Sequence, residues 1–238
     1  MKTLPFKARV LVTLAVVSCL AAVGKALAGW EPIHDYPKFL AYLLVAVVAA
    51  RFRVSLPRMT SSMAVNLPFI LISVLELSLP EALLVAGIST FAQSFWTGNK
   101  QRNLVQLAYN VSVVVLAAQS MWLTLRIGFH NVALSITAGS LTVLLTNTLP
   151  VAAIISFTEA GRMTRIWMHI VQLTFPYYGL AAGVAGLVKL ADYAVGWQVP
   201  LFILPAMFLV YRSYVRYFRQ IGDSASEPRA MSAASGAM

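Results

Sequence analysis

Long runs of uncharged, mostly apolar residues recur along the chain and are separated by short polar segments. Eight such runs lie near 10–30, 37–52, 63–78, 80–97, 103–127, 131–157, 164–190 and 197–217. Most of them are close to the ~20 residues that an α-helix needs to cross a ~30 Å hydrocarbon core. The pattern therefore predicts an all-α, polytopic transmembrane bundle of about eight helices.

The bundle is predicted to occupy residues 1–220, because no connecting segment is long enough for a separate folded domain. Residues 221–238 are small and polar and lack any hydrophobic periodicity. Such a composition buries too little surface to offset the entropy of ordering the chain. This segment is predicted to be a disordered cytoplasmic tail.

The first run allows two interpretations. Basic residues, an apolar stretch and the small tripeptide Ala26-Leu27-Ala28 also form the pattern of a secretory signal peptide. Lys25 directly precedes that tripeptide, and the run is long enough to span a membrane, so a retained first helix is favoured. Cleavage would leave seven helices in the same orientation.

Composition changes the interpretation of the net charge. With 59% hydrophobic and 11% charged residues, the chain is not a water-soluble enzyme. The net charge of +10 by itself suggests nucleic acid, but 14 of the 18 basic residues fall in segments on one predicted side of the membrane. These are Lys2, Lys7, Arg9, Arg51, Arg53, Arg58, Lys100, Arg102, Arg162, Arg165, Arg212, Arg216, Arg219 and Arg229.

Basic segments resist translocation, so this asymmetry predicts that both termini are cytoplasmic. The opposite side keeps only Lys25, Lys38, Arg126 and Lys189. The predicted partner of the basic residues is the lipid bilayer with its anionic headgroups, and not nucleic acid.

Polar side chains within the apolar runs are the candidate functional residues, because an unpaired polar group in hydrocarbon costs several kcal/mol and therefore faces the bundle interior. The candidate ligand cavity consists of Asn66, Gln93, Gln106, Asn110, Asn147, Gln172 and Tyr177. Six of these are amides and none is ionised, which suits either interhelical hydrogen bonds or a neutral, hydrogen-bonding ligand.

Two of the amides come just before a proline that the pattern places inside a helix, Asn66 before Pro68 and Asn147 before Pro150. A proline inside a helix leaves a carbonyl one turn earlier without its donor, and an amide side chain can supply one. The alternative is a pair of broken helices that line a cavity, as in secondary transporters. Pro176 is the third predicted kink.

Neither a catalytic residue nor a metal or cofactor site is predicted. The histidines His34, His130 and His169 are placed too far apart to bind one metal, and the chain contains no phosphate-binding loop and no hydrolase elbow. An intramembrane enzyme that uses His169 with Glu159 or Tyr177 is the weakest hypothesis.

Two local motifs concern packing. Ser78 and Glu81 have the spacing of a capping box at the start of the fourth helix. Gly179 with Gly183, and Ala182 with Gly186, have the spacing that lets two membrane helices approach closely. The sequence leaves internal packing and a homodimer open as the purpose of this second motif.

The chain from about Arg53 to Arg219 resembles the membrane-embedded sensor regions that precede HD-GYP phosphodiesterase and GGDEF diguanylate cyclase domains in bacterial cyclic-di-GMP signalling. The similarity rests on Ser55–Thr60 (SLPRMT), Val65–Ile72 (VNLPFILI), Glu76–Glu81 (ELSLPE), Phe91–Gln93 (FAQ), Tyr109–Asn110, Asn147–Val151 (NTLPV), Thr158–Glu159, Trp167 and Phe175–Tyr178 (FPYY). The order of these segments carries the similarity more than any single one does.

The resemblance implies a bundle in the bacterial inner membrane with a cytoplasmic C-terminus. Its members continue into a signalling domain, whereas this sequence stops about twenty residues after its last apolar run. We therefore expect a sensor without catalytic activity of its own, which recognises a small or membrane-dissolved ligand and acts through a membrane or cytoplasmic signalling partner. The alternative is a small permease for a neutral solute.

Overall fold

The computed structural model describes residues 5–29, 35–55, 62–95, 104–128, 131–159, 161–195, 198, 203–213 and 215–216. These ranges contain eight helices and one short β-hairpin, so the predicted all-α class is confirmed apart from the hairpin. The helices are α1 (Phe6–Ala28), α2 (Tyr36–Ala50), α3 (Leu67–Glu76), α4 (Leu79–Phe95), α5 (Leu104–Arg126), α6 (Val132–Glu159), α7 (Met163–Val195) and α8 (Ile203–Ser213). The predicted disordered tail, 221–238, lies outside the described residues.

Four of these helices, α1, α5, α6 and α7, are long and apolar enough to cross a membrane. The apolar helices α2, α3 and α8 are shorter. Membrane location is thereby supported, while the number of crossings and their orientation stay predictions.

The hairpin connects α2 to α3. Strands β1 (Arg53–Ser55) and β2 (Ser62–Ala64) are antiparallel, with Arg53 opposite Ala64, and the Val65 N–H donates to the Phe52 carbonyl at 3.1 Å. The prediction of one helix over 63–78 is therefore wrong in its first part. Proline lacks a backbone N–H and therefore fits the first turn of a helix, where that donor has no partner; α3 accordingly begins at Leu67, with Pro68 in its first turn. The predicted kink at Pro68 is wrong for the same reason.

Helix α3 occupies the centre of the bundle. Every residue from Leu67 to Val74 is buried, and the helix contacts α2, α4, α5 and α7. A helix that is apolar on all sides is buried either among other helices or in lipid, and α3 is packed among four helices. Its ten residues span roughly 15 Å, so α3 alone is too short to cross a membrane.

The Glu81 half of the capping box at the start of α4 is confirmed. The Glu81 carboxylate accepts hydrogen bonds from the Ser78 backbone N–H at 2.9 Å and from its hydroxyl at 2.6 Å. Only Leu77 and Ser78 separate α3 from α4, so these two helices form a tight antiparallel pair.

Helix α1 packs against α5 through its small residues. Its buried positions recur at spacings of four and three: Ala8, Val12, Ala15, Cys19, Ala22 and Ala26. Val12 and Ala15 form a cluster with Tyr109 and Val113 of α5. Retention of α1 in the mature protein stays a prediction.

Pro150 and Pro176 lie inside α6 and α7, as the sequence predicted. Both helices continue through their proline. The turn between the two helices is held by the Ser156 hydroxyl, which donates to the Gly161 carbonyl at 2.7 Å.

Candidate functional site

Asn66 connects the start of α3 to α4. Its side chain is 5% exposed, and its amide donates to the Ser89 hydroxyl at 3.3 Å. Ser89 in turn donates to the Ala86 carbonyl. Gln93 lies one turn beyond Ser89, on the same side of α4, and is half-buried. Asn66, Ser89 and Gln93 therefore form a polar strip beside the hairpin.

Asn147 connects α6 to α7. Its amide donates to the hydroxyl of Tyr178 at 2.6 Å, and Tyr178 is buried. One interpretation of the sequence is that this amide supplies a donor to the carbonyl freed by Pro150. In the structure its hydrogen bond instead goes to a neighbouring helix, so it stabilises helix packing directly.

Two further aromatic side chains contact the segment around Pro150. The Tyr109 hydroxyl of α5 donates to the Pro150 carbonyl at 2.7 Å, and the Trp167 indole of α7 donates to the Thr148 hydroxyl at 3.1 Å. With Tyr178, three aromatic residues from α5 and α7 hold this part of α6. The contacts of Tyr109 and Trp167 could not be predicted, because an aromatic residue gives no sequence signal of a partner 41 or 19 residues away.

The predicted cavity set is not brought together as a whole. Gln106 and Gln172 are exposed on the outside of α5 and α7, so their placement in an interior cavity is wrong. Helical spacing fixes which residues share a face but not the direction in which that face points. Asn110 is half-buried, and Tyr177 is buried with its ring 6.4 Å from that of Tyr178.

An ion triad lies at the opposite end of α3. The two carboxylate oxygens of Glu76 accept hydrogen bonds from Lys38 of α2 at 3.1 Å and from Lys189 of α7 at 2.7 Å. The Glu76 side chain is only 3% exposed, against 19% and 30% for the lysines. The sequence placed both lysines on the non-cytoplasmic side, and the structure brings them to one level with Glu76, here called the triad end.

An aromatic cluster connects α8 to the base of the hairpin. The ring of Phe52 lies 5.2 Å from Phe208 and 5.5 Å from Tyr211, and those two rings are 6.1 Å apart. Such spacings are typical of favourable aromatic pairs. Because the Phe52 carbonyl also accepts the Val65 N–H, the cluster connects α8 to the backbone that leads into α3.

The chemistry of these groups is hydrogen bonding and ion pairing. In the described ranges, no three His, Cys, Asp or Glu side chains gather in a way that could hold a metal ion. His169 is exposed on α7, and His34 and His130 lie outside the described residues. The site consists of hydrogen bonds and ion pairs that connect neighbouring helices around the buried helix α3.

Neither a protein-family model, nor a curated protein, nor a solved structure matches the chain. The function is therefore inferred from the geometry and from the resemblance described above.

Proposed function

We propose that the protein is an integral-membrane sensing and coupling module of the bacterial inner membrane, without catalytic activity of its own. It binds a ligand within the bundle and transmits the change to a membrane or cytoplasmic signalling partner. The observation that supports this proposal best is the continuous series of contacts from the ion triad along α3 to Phe52 and α8.

Helix α3 can transmit a displacement because it acts as a rigid element. It is buried along its length, and both of its ends are tied to other helices, by Glu76 at one end and by Asn66 at the other. Packed interiors resist gradual deformation and rearrange between discrete states. A ligand that displaces one end of α3 therefore also displaces the other end.

The displacement of α3 reaches α8 through Phe52. Val65 and Phe52 are hydrogen-bonded at the base of the hairpin, so a shift of α3 changes the position of Phe52 against Phe208 and Tyr211. Beyond these rings lie two exposed arginines on the predicted cytoplasmic side, Arg212 in the last turn of α8 and Arg216 three residues after its end. In the sensor regions that this chain resembles, the signalling domain follows such a helix.

The Pro150 segment is a second element that can rearrange. Proline removes one backbone hydrogen bond from α6, and the side chains of Tyr109, Asn147 and Trp167 hold the segment in its place. Loss of one of these hydrogen bonds changes how α6 packs on α7, while α6 remains helical.

A chimera tests the proposal without knowledge of the ligand. A diguanylate cyclase domain is fused after Arg219, and cyclic-di-GMP is measured in cells that express the wild-type bundle, Asn66→Leu, Asn147→Leu or Phe52→Ala. Loss of a coupling energy of about 1 kcal/mol changes the output about fivefold. Ile88→Leu on the outer face of α4 is the control and keeps the wild-type output.

Equal output from all four bundles, at equal membrane abundance, would falsify the coupling mechanism. A chimera that is inactive in every form, although its cyclase domain is active when expressed alone, contradicts the cytoplasmic C-terminus.

A permease for a neutral solute is the second candidate, and the short helix α3 after non-helical backbone favours it, since transporters build sites at interrupted helices. It predicts that proteoliposomes with the protein swell in an osmotic gradient of small neutral solutes such as glycerol or urea, and that Asn110→Ala reduces the rate. Swelling at the rate of protein-free vesicles counts against it.

A further inference from the structure

The outward side of α7 carries a polar group among apolar neighbours. The side chain of Gln172 is exposed and forms no hydrogen bond with another described residue. On the same side of the helix, Met168 precedes it by four residues and Phe175 follows it by three, and both are exposed. Because α7 is long and apolar enough to cross a membrane, large apolar side chains that face outward from it contact lipid. The amide of Gln172 therefore lies at the depth of the acyl chains.

A backbone group at the same place also loses its partner. Pro176 is exposed and has no N–H, so the backbone carbonyl of Gln172, one turn earlier, loses the donor that an α-helix normally supplies. The side-chain amide and this carbonyl together present two N–H donors and two oxygen acceptors. Acyl chains supply neither, and an unsatisfied polar group in hydrocarbon is costly. These groups therefore require a polar partner.

The distance to the helix ends separates Gln172 from Gln106, which is also exposed. Gln106 is the third residue of α5 and lies at a helix end, where water and headgroups can bind the amide. Gln172 is the tenth residue of α7 and lies 17 residues before Lys189 at the triad end. At the helical rise these separations are roughly 13 Å and roughly 25 Å, so water at neither end reaches its amide.

The adjacent surface of α7 has room for a second helix. Gln172, Gly179 and Gly183 follow one another at spacings of seven and four residues, so they lie on one side of the helix. A Cβ added to either glycine would meet no atom of the described chain within 4 Å. Glycines at this spacing let the backbones of two membrane helices approach closely. The glycines alone specify no partner, whereas the amide requires one that forms hydrogen bonds at its depth.

A second copy of the chain meets this requirement. Copies of one chain share their orientation in a membrane, so two α7 helices that cross at the glycines are parallel and bring both Gln172 side chains to one depth. An amide donates and accepts at once, so two facing amides are complementary to each other. A twofold-symmetric interface needs this kind of self-complementary group. A different membrane protein would need a polar group of its own at the same depth.

The crossing geometry brings the amides together and keeps basic residues apart. The midpoint between Gly179 and Gly183 lies nine residues from Gln172 and 16 from the exposed Arg165. For helix axes about 8 Å apart at the crossing and an angle of about 40°, the axes are separated by roughly 12 Å at Gln172 and roughly 18 Å at Arg165. Two facing glutamine side chains bridge the first distance. The second leaves the arginines in contact with headgroups and not with each other.

We propose that two copies of the protein pair through the outward side of α7, with the helices crossing at Gly179 and Gly183. Reciprocal hydrogen bonds from the Gln172 amide of each copy, to the side-chain or backbone oxygen of Gln172 in the other, hold the pair together. This interface does not depend on the proposed sensing function.

Energy transfer between donor-labelled and acceptor-labelled copies in liposomes measures the pairing at increasing ratios of lipid to protein. We expect Gln172→Leu to raise the dissociation constant roughly tenfold, because it removes two hydrogen bonds between the copies. Gln106→Leu makes the same substitution at an exposed glutamine of α5 and should leave the dissociation constant unchanged. Both replaced side chains are exposed, so SDS titration at high dilution should give the wild-type free energy of unfolding for both variants.

Cross-linking in native membranes identifies the partner. In a Cys19→Ala background, Gly183→Cys is compared with Leu20→Cys, which is exposed on the outward side of α1. With copper phenanthroline as the oxidant, Gly183→Cys should form a disulfide-linked product of twice the mass of the single chain, and Leu20→Cys should not.

The proposal is overturned if the wild-type protein stays monomeric at every lipid ratio, or if Gln172→Leu pairs as tightly as the wild type. It is also overturned if Gly183→Cys gives no product or cross-links no more than Leu20→Cys. A cross-linked product of another mass would show that a different membrane protein covers this side of α7.

Discussion

Two rows of small residues run along the same stretch of α7 and have opposite surroundings. Ala181 and Ala185 face inward and are completely buried. Gly179 and Gly183 face outward, and a Cβ added to either glycine would meet no atom of the described chain within 4 Å. Both pairs have a spacing of four residues, so this spacing permits close approach of helices without determining which row is packed.

The neighbours of the inward row explain the difference. Tyr177, Tyr178 and Val188 lie on the same inward side and are buried in the main core, and Lys189 reaches Glu76 of α3. The large and charged side chains gain the most from the interior contacts, and they fix the rotation of α7. The internal-packing explanation of the Gly179 and Gly183 pair is therefore wrong within the described chain, and the homodimer stays a prediction.

The largest expected effect comes from filling the inward row. Ala185→Leu adds three carbon atoms at a completely buried position, and overpacking of this kind costs about 3 kcal/mol. We expect a corresponding drop in the free energy of unfolding, measured by SDS titration of the purified protein. Leu187→Ala, on an exposed position two residues away, is the control; an equal loss there would show that α7 is rotated differently.

The second prediction concerns the charge contact that holds α7 inward. Glu76→Leu removes the carboxylate between Lys38 and Lys189, and breaking a buried ion pair costs about 3–5 kcal/mol. The lysines are partly exposed, so water solvates them once the carboxylate is gone. We therefore expect the free energy of unfolding to fall by about 2 kcal/mol, measured by the same SDS titration. Glu159→Leu, at the exposed end of α6, should change stability by less than about 0.5 kcal/mol.

If Glu76→Leu has no larger effect than Glu159→Leu, the triad does not hold α7 in its rotation. The rotation of α7 would then be set by the buried aromatic residues Tyr177 and Tyr178 alone.

The third prediction concerns one of those aromatic residues. Tyr178→Phe removes the hydroxyl that binds the Asn147 amide and keeps the ring in the core. Hydrogen bonds between membrane helices contribute about 0.6 kcal/mol on average, so we expect a loss of this size, detectable as a small shift in the unfolding midpoint. The exposed Tyr36→Phe is the control, and Asn147→Leu combined with Tyr178→Phe should cost no more than Asn147→Leu alone.

The sequence predicted those parts of the fold that depend on composition over a whole helix. The apolar runs located α1, α5, α6 and α7, and local chemistry located the Ser78–Glu81 cap. The start of α3 was missed because the predominantly apolar run already begins at Met63, four residues before the helix. Over such a short stretch, the apolar pattern does not distinguish a strand from a buried helix.

The candidate site was predicted less well, for a different physical reason. Asn66 and Asn147 were identified correctly as residues that form buried or half-buried polar contacts. Their partners Ser89 and Tyr178, and the contact of Lys189 with Glu76 across 113 residues, depend on the rotation of each helix about its axis. That rotation is set by the sum of all packing contacts, as the two rows of α7 show, and no single pattern along the chain records it.

The smallest change in stability is expected for a substitution in the outward row, and it distinguishes this row from the inward one. Gly183→Leu places the same side chain as Ala185→Leu on the same helix, two residues away, but at a position with open space around it. A larger apolar side chain facing lipid should change the free energy of unfolding of the single chain by no more than about 0.5 kcal/mol. If two copies of the chain pack through this row, the bulkier side chains of the Gly183→Leu variant would separate them, so the mass measured by light scattering in detergent should fall from dimer to monomer. A destabilisation as large as that of Ala185→Leu, without a change in mass, would mean that another part of the same chain covers Gly183 and that both rows of α7 are packed.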